Sequence, residues 1–275
     1  MKKILLVMIL SFLIACHQDV PRDKETIVIG IEDSPENFDP RLQRDALSQK
    51  INKLIYNGLL TKDDHLNLVP DLAVRHEMRD PQTYVFYLRD NCFFHNQKKL
   101  TSKDVKYTYQ SMMGDEIISP YKSKLKVIKS IETPDDRTVI FKLGQTHTPF
   151  LSLMTLGILP EPNADALHKD LSGTGPYRLE PEKTTLSQVV LERFDGYFGP
   201  KAKNSRLVFR VINDSTLRAL ELIKGRIDLV QNNCPFVMIP FLKNKKDLLF
   251  KKDTGINFSY MAFNLKNEYL KNKKV

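Results

Sequence analysis

The stretch on which the fold depends reads Leu171-Ser172-Gly173-Thr174-Gly175-Pro176-Tyr177-Arg178-Leu179. Its two glycines allow backbone dihedrals that other residues avoid, and Pro176 fixes the next φ. A strand is predicted to begin at Tyr177. A phosphate-binding loop is the alternative, but it requires a preceding strand, a Gly-Lys-Ser/Thr ending and a following helix. Because a strand follows and no lysine does, we interpret the stretch as a tight crossing between two elements.

Segments on both sides of this crossing have the pattern of an α/β sheet. Thr26–Ile31 is a run of mostly β-branched residues and predicts a buried strand. A helix with apolar positions from Ala46 to Ile55 follows, and Gly58 is expected at its C′ position. Later strands are predicted at Tyr177, 189–193, 207–212, 227–230 and 260–264. An Asp214-capped helix ending at Gly225 lies between 207–212 and 227–230, a spacing that implies a parallel crossover.

The middle of the chain predicts a mixed α+β insertion. Thr83–Leu88 alternates as a strand does, and 128–143 forms apolar segments on either side of a Pro-Asp-Asp turn, which indicates a hairpin. Thr101 and Asp104 form an acidic variant of the capping box. Thr148 and Pro149 are expected to be the N-cap and N1 residues of a short helix that stops at Gly157. The predicted domains are a signal peptide at 1–15, a discontinuous α/β lobe at 16–60 and 173–275, and the insertion at 61–172.

The first residues have the character of an export signal. Lys2 and Lys3 precede an apolar run that is too short to span a bilayer, and this run ends at Cys16. A buried first helix with an ordinary cysteine is the alternative. The aliphatic and small residues before Cys16 resemble the lipobox of bacterial lipoproteins, which implies that Cys16 carries lipid. The mature protein is therefore expected to be exported to the periplasm or cell surface and held on a membrane by this lipid.

Charge and cysteine content exclude several functional classes. The net charge is +9, and much of it comes from lysines after Phe241. A nucleic-acid surface would combine arginines and aromatic residues on one element, so these scattered lysines indicate a solvated basic face. Cys92 and Cys234 lie far apart without a Cys-x-x-Cys spacing, which argues against zinc or redox chemistry. They could pair after export, but two separate buried thiols are the prediction.

Catalytic motifs are absent from the sequence. The histidines stand alone without a His-Glu-x-x-His pair, and no Gly-x-Ser-x-Gly elbow is present. The paired aspartates at 63–64 and 135–136 lie in predicted turns, where carboxylates cap backbone amides. We therefore predict no enzymatic activity, no metal site and no cofactor.

An ordered set of short motifs runs through nearly the whole mature chain. Together these motifs resemble the extracytoplasmic solute-binding proteins of peptide- and nickel-type ABC importers, solute-binding protein family 5. No single motif is diagnostic, and the resemblance rests on their order and spacing. The motifs are Asn37-Phe38-Asp39-Pro40, Ile55-Tyr56-Asn57-Gly58-Leu59-Leu60, Val69-Pro70-Asp71-Leu72-Ala73, Tyr84-Val85-Phe86-Tyr87-Leu88-Arg89, Phe94-His95, Leu100-Thr101-Ser102-Lys103-Asp104-Val105, Gly173-Thr174-Gly175-Pro176-Tyr177, the segment 220–229 and Phe263-Asn264.

The resemblance implies a periplasmic-binding-protein-like type II architecture of which only the N-terminal portion is present. Family members continue beyond the position of Val275 into a second ligand-binding lobe, so a missing C-terminal lobe is expected. They also carry Asp-Gly after the Phe-His pair, where Asn96 and Gln97 stand here. The function implied is a lipid-anchored receptor that captures an oligopeptide or related small solute and delivers it to the permease subunits of an importer. Nucleic acid is not an expected partner.

Ligand contacts are expected where strands end, because open α/β sheets place their sites there. Each candidate also has a structural explanation, since Asn, Ser and Gly are frequent in turns. Two alternatives to a working receptor remain open at this stage: a truncated relic that binds nothing, and a surface or chaperone-like lipoprotein. The candidate lining residues are Ser34, Asn37, Gly173, Thr174, Gly175, Asn232, Asn233 and Asn264.

Overall fold

The computed structural model describes Asp23 and residues 25–162, 171–232, 234–252 and 262–271. Cys16, Asn233, His168 and the predicted signal peptide lie outside the described residues. The chain divides into two compact units, Met1–Pro235 and Phe236–Val275. No helix within the described residues is long and apolar enough to cross a membrane.

A five-stranded sheet forms the centre of the first unit, in the order β11-β1-β10-β9-β8. Strand β1 pairs in parallel with β10 on one side and with β11, the edge strand, on the other. β9 is antiparallel to both β10 and β8, so β8 runs in the same direction as β1. The first strand of the chain is thus joined to four strands that follow residue 176. The strands are β1 Thr26–Ile31, β8 Tyr177–Leu179, β9 Gln188–Arg193, β10 Arg206–Val211 and β11 Leu229–Val230.

Two helices connect the parallel strands of this sheet to the rest of the unit. Helix α1, Ala46–Ile55, is capped by Asp45, whose carboxylate accepts the Ser48 N–H at 2.7 Å. Helix α5, Ser215–Ile223, connects β10 to β11 and is capped by Asp214 as predicted. Gly225 follows with a φ of 69°, a left-handed conformation that favours glycine after a helix. The crossover is parallel as predicted, with β1 inserted between its two strands.

The insertion contains a four-stranded antiparallel sheet in the order β4-β5-β7-β6. The predicted hairpin is confirmed as β6 and β7. Its helix α2 begins with the predicted capping box, in which the Thr101 N–H donates to Asp104 Oδ2 at 2.7 Å. The elements are β2 Leu60–Lys62, β3 Leu68–Pro70, β4 Ala73–Asp80, β5 Thr83–Leu88, α2 Ser102–Met113, α3 Lys122–Leu125, β6 Ile128–Asp135, β7 Thr138–Leu143 and α4 Phe150–Leu153.

Each sheet has its own hydrophobic core. The insertion packs Phe86, Phe94, Tyr109, Phe141 and Phe150 into one fully buried aromatic-rich cluster. A second cluster lies between α1 and the five-stranded sheet, with Ile51 and Ile55 from the helix and Val189, Leu191, Leu207 and Phe209 from the strands. The predicted domain boundaries at residues 61 and 172 stay a prediction, since Leu59 and Leu60 belong to the first cluster and Leu159 to the second.

Several local predictions are wrong. Gly58 is not the C′ residue of α1, because the helix already ends at the extended Tyr56. Gly58 is required for packing instead, since a Cβ there would lie 2.7 Å from the Met154 carbonyl oxygen. Pro149, not Thr148, is the N-cap of α4, and this helix ends at Leu153.

Two further predictions fail toward the end of the chain. Residues 262–264 are not in a strand, and the rest of the strand predicted at 260–264 lies outside the described residues. Cys92 and Cys234 are both free, but only Cys92 is buried. Burial raises the pKa of the Cys92 thiol to about 12, so this thiol stays protonated at neutral pH.

The second unit contains a short 3-10 turn, Phe236–Met238, and helix α6, Ile239–Lys243. Several of its apolar side chains are exposed, among them Phe236 and Leu249. The Lys243 and Lys245 ammonium groups lie over the rings of Phe250 and Phe241. Both cation–π contacts are formed within this unit, and they stabilise aromatic rings that are partly exposed to solvent.

Candidate functional site

The carboxyl ends of the three parallel strands meet at one edge of the five-stranded sheet, which we call the carboxyl edge. It consists of residues 32–34 after β1, 212–213 after β10 and 231–232 after β11. The Ile212 N–H donates to Ile31 O at 2.9 Å, and Asn213 Nδ2 donates to Glu32 O at 3.0 Å. These bonds fix the loop after β10 against the loop after β1. An edge of this kind is where open α/β sheets bind ligands.

Arg218 on helix α5 stabilises the carboxyl edge. Its side chain is 2% exposed, and its Nη1 donates to the carbonyl oxygens of Ile212 and of Asn213, the latter at 2.9 Å. Asp214 caps α5, the helix that carries Arg218, by accepting the Leu217 N–H at 2.6 Å. The carbonyls at the end of β10 are therefore held by a buried charge, and the loop is preorganised.

Two of the predicted lining residues lie at the carboxyl edge. Ser34 is half-buried, and its N–H donates to Asp33 Oδ1 at 2.8 Å. Asn232 is exposed and has a φ of 61°, a conformation that asparagine tolerates better than most residues. The sequence interpretation missed Asp33 and Asn213. Both directly follow predicted strands, and this placement could have identified them as residues of the carboxyl edge.

Asn37 lies further along the loop after β1 and points into the protein. Its Oδ1 accepts the Asp39 N–H at 2.7 Å, and its own N–H donates to Ser48 Oγ at 3.2 Å. Asn264 belongs to the second unit, where it is exposed and accepts the Lys266 N–H at 3.1 Å.

The glycine crossing, Gly173–Gly175, lies at the opposite edge of the sheet. It precedes β8, which runs in the same direction as β1, so it lies where the parallel strands begin. All three of its residues are buried against the end of α1. The Gly175 N–H donates to Ile55 O at 2.8 Å, and a Cβ on Gly173 would lie 1.9 Å from that same oxygen. Glycine is thus required here because two backbones touch.

His95 fixes the crossing to the insertion with three hydrogen bonds. Its backbone N–H donates to Gly173 O at 2.8 Å, and the Gly173 N–H donates to His95 Nδ1 at 3.2 Å. Because Nδ1 accepts, the ring proton lies on Nε2, which donates to Gly175 O at 3.1 Å. The arrangement requires a neutral histidine in one tautomer.

A buried polar network continues from Thr174. The Thr174 hydroxyl donates to Asn57 Oδ1 at 3.1 Å, and Asn57 Nδ2 donates to both Asp71 carboxylate oxygens at 3.0 and 3.1 Å. Burial raises the pKa of Asp71 to about 6, although the hydrogen bond from Asn57 and the charge of Arg89 oppose that rise. These residues hold the lobe and the insertion together.

Four of the sequence motifs that carry the family resemblance therefore converge on one junction. Asn57, Asp71, His95 and the glycine crossing come from four separate segments and are joined by direct hydrogen bonds. The sequence interpretation named these motifs but did not place them together. No cluster of three or more potential metal-ligating side chains exists among the described residues.

Comparison with known proteins places this geometry in context. The model for "Bacterial extracellular solute-binding proteins, family 5 Middle" matches residues 67–275. The "Dipeptide-binding protein" of Escherichia coli (strain K12) is 27% identical over 91% of this chain and 52% of its own length. The "Oligopeptide-binding protein AppA" of Bacillus subtilis (strain 168) is 26% identical over 93% of this chain and 49% of its own length. The chain thus spans about half the length of these curated relatives.

Solved structures match over the same portion. NikZ from Campylobacter jejuni, in complex with Ni(L-His), superposes with a TM-score of 0.81 at 25% identity and covers 92% of this chain and 52% of its own. AppA from Bacillus subtilis, in complex with a nonapeptide, gives a TM-score of 0.80 at 26% identity, with coverage of 90% and 52%. The mixed α/β fold described above is therefore the fold of about half of each of these proteins.

Proposed function

Because the chain belongs to family 5 of the bacterial extracellular solute-binding proteins, we propose that it serves as the solute-capturing component of an ABC-type importer. It binds a peptide or a related small solute outside the cytoplasmic membrane and delivers it to the permease. The relatives are binding proteins rather than enzymes. The family match over residues 67–275 is the observation that carries this proposal.

The carboxyl edge supports a binding role. It offers backbone and amide groups at the ends of three parallel strands, and Arg218 holds one of these ends in place. Receptors of this architecture close around a solute and satisfy its polar groups with fixed donors and acceptors. We propose Ser34 and Asn232 as contacts at this edge. The other lining residues predicted from the sequence stay predictions and are not assigned to this edge: Asn37, Gly173, Thr174, Gly175, Asn233 and Asn264.

Binding is tested by calorimetry and by thermal unfolding, since the chain contains no tryptophan to report on a ligand. The probes are mixed dipeptides, mixed nonapeptides and a nickel–histidine complex. A probe at one hundred times its dissociation constant stabilises the folded state by about 2.7 kcal/mol. We expect at least one peptide class to raise the unfolding midpoint. If no probe does so, the proposal that this chain binds a peptide or related solute is contradicted.

Matched variants test where the solute binds. Asn232→Ala removes an amide at the carboxyl edge, and Ser123→Ala removes an exposed hydroxyl on α3. We expect the Asn232 variant to weaken binding of the stabilising probe and the Ser123 variant to leave it unchanged. Equal affinities for both variants would contradict the assignment of Asn232 to the site.

Lipid anchoring at Cys16 is a separate proposal, supported by the basic and apolar residues that precede this cysteine. We propose that the chain is cleaved before Cys16 and held on the membrane by lipid attached there. Mass spectrometry of the exported protein is expected to show a lipidated N-terminal cysteine. Cys16→Ser should release the protein from the membrane fraction, and a variant that stays membrane-bound would contradict the proposal.

A further inference from the structure

A cleft separates helix α1 from the short helices of the insertion. Its volume is about 400 Å³, and it is lined by residues from the loop before α1, from α1 and the following Tyr56, from β2, from α3 and its N-cap Tyr121, and from segment 152–157. None of the residues of the carboxyl edge lines this cleft. It is therefore a second concave site, separate from the edge at which we place the imported solute.

Lysines from three different elements line the cleft, which we call the lysine cleft: Lys53 on α1, Lys62 on β2 and Lys124 on α3. Neutral polar groups from Gln43, Gln49 and Tyr121 contribute to the same surface. No aspartate or glutamate is among the lining residues. The cleft thus combines three positive charges with amide and hydroxyl groups.

These three lysines form no ion pair within the described residues. The neighbouring Lys122, by contrast, is paired with Asp115. Like charges around one concave surface raise its positive potential and attract counter-ions. A small anion in the cleft would relieve their mutual repulsion and form charge-assisted hydrogen bonds.

The volume and the positive charge of the cleft limit the class of anion that it can bind. A volume of this order accepts a small molecule, and three lysines from three different elements favour a ligand that carries more than one negative charge. Lysine ammonium groups act as point charges and impose no planar geometry, so phosphate and carboxylate groups both fit them. We propose that the lysine cleft binds a small multivalent oxyanion of the polyphosphate or polycarboxylate class.

The test uses tripolyphosphate and citrate as probes, with sodium chloride keeping the ionic strength constant. Calorimetry and thermal unfolding are measured for the wild-type chain, for the triple variant Lys53→Gln/Lys62→Gln/Lys124→Gln, and for a control triple variant. The control replaces three exposed lysines that do not line the cleft, so its net charge changes equally. The control substitutions are Lys103→Gln, Lys129→Gln and Lys203→Gln.

We expect at least one probe to bind the wild-type chain and the control with equal affinity. Each single lysine replacement in the cleft should weaken binding about threefold, since exposed ion pairs contribute at most about 1 kcal/mol. The cleft triple variant should lose about thirtyfold. The proposal is overturned if neither probe binds, or if both triple variants weaken binding equally. Unfolding without a probe verifies that both variants are folded, and the result does not depend on peptide binding.

Discussion

Gly173→Ala should destabilise the protein severely, because the glycine crossing leaves no room for a methyl group. The added Cβ would lie 1.9 Å from Ile55 O and 2.8 Å from Tyr56 Cδ1. The two backbones must separate, and this breaks the Gly175 N–H bond to Ile55 O. Overpacking by one methyl costs about 1–3 kcal/mol. A buried group left without its partner adds about 1–3 kcal/mol. We therefore expect a loss of about 2–6 kcal/mol in the free energy of unfolding.

Gly144→Ala is the matched control for this substitution. The nearest atom to a Cβ at Gly144 is Val127 O at 3.9 Å, and its φ is not positive. Replacing such a glycine by alanine stabilises proteins by about 0.4–1 kcal/mol, because the unfolded chain loses freedom. The two variants introduce the same atom and differ only in the space around it.

Urea unfolding followed by far-ultraviolet circular dichroism measures both variants against the wild type. A loss of about 2–6 kcal/mol is a large part of the roughly 5–15 kcal/mol by which a domain is stable, so we expect to recover Gly173→Ala in low yield. Thr174→Val then provides a graded measurement, with an expected cost of about 0.5–1.5 kcal/mol from the hydrogen bond to Asn57 that it removes. The reasoning is refuted if Gly173→Ala is folded and lies within about 1 kcal/mol of Gly144→Ala.

Two further predictions concern the pH dependence of stability and a strained turn. Asp71 has a pKa raised from 3.8 to about 6, so the folded state binds its proton more tightly than the unfolded state. This group should lower the free energy of unfolding by up to about 3 kcal/mol as pH rises from about 4 to about 6, and Asp71→Asn should flatten that part of the curve measured by urea unfolding. If Asp71→Asn leaves the pH dependence of the free energy of unfolding unchanged, Asp71 is not the group responsible for it. Gln97 adopts a φ of 68° in the turn after His95, a left-handed conformation that strains residues other than glycine. Gln97→Gly should therefore stabilise the protein by about 0.5–1 kcal/mol, measured as a higher thermal midpoint. A lower midpoint would show that the turn is not strained.

The elements that sequence analysis identified correctly are those whose signal is local. Thr26–Ile31, the helix at 46–55 and the hairpin at 128–143 each follow from periodicity, caps and turn residues within a few positions. The Asp214 cap and the Gly225 stop belong to the same class. Such features depend on neighbours along the chain and can be read from it.

The errors concern residues whose role depends on distant contacts. Gly58 was interpreted as a helix stop, but its requirement comes from Met154, almost one hundred positions away. The same applies to the candidate site, since nothing local shows that Gly173 and Ser34 lie at opposite edges of one sheet. Their positions follow from the strand directions, which the sequence does not specify residue by residue.

The pairing of β1 with late strands has a consequence for the order of folding. The Val28 N–H donates to Asp228 Oδ2 across a separation of 200 residues, and the sheet partners of β1 in the described part of the chain are β10 and β11. The insertion hairpins, by contrast, join neighbouring segments and can form early. During synthesis, the β-branched residues of β1 therefore stay unpaired in this sheet until most of the chain has been made. Until then they are exposed to aggregation, as unpaired strand edges generally are.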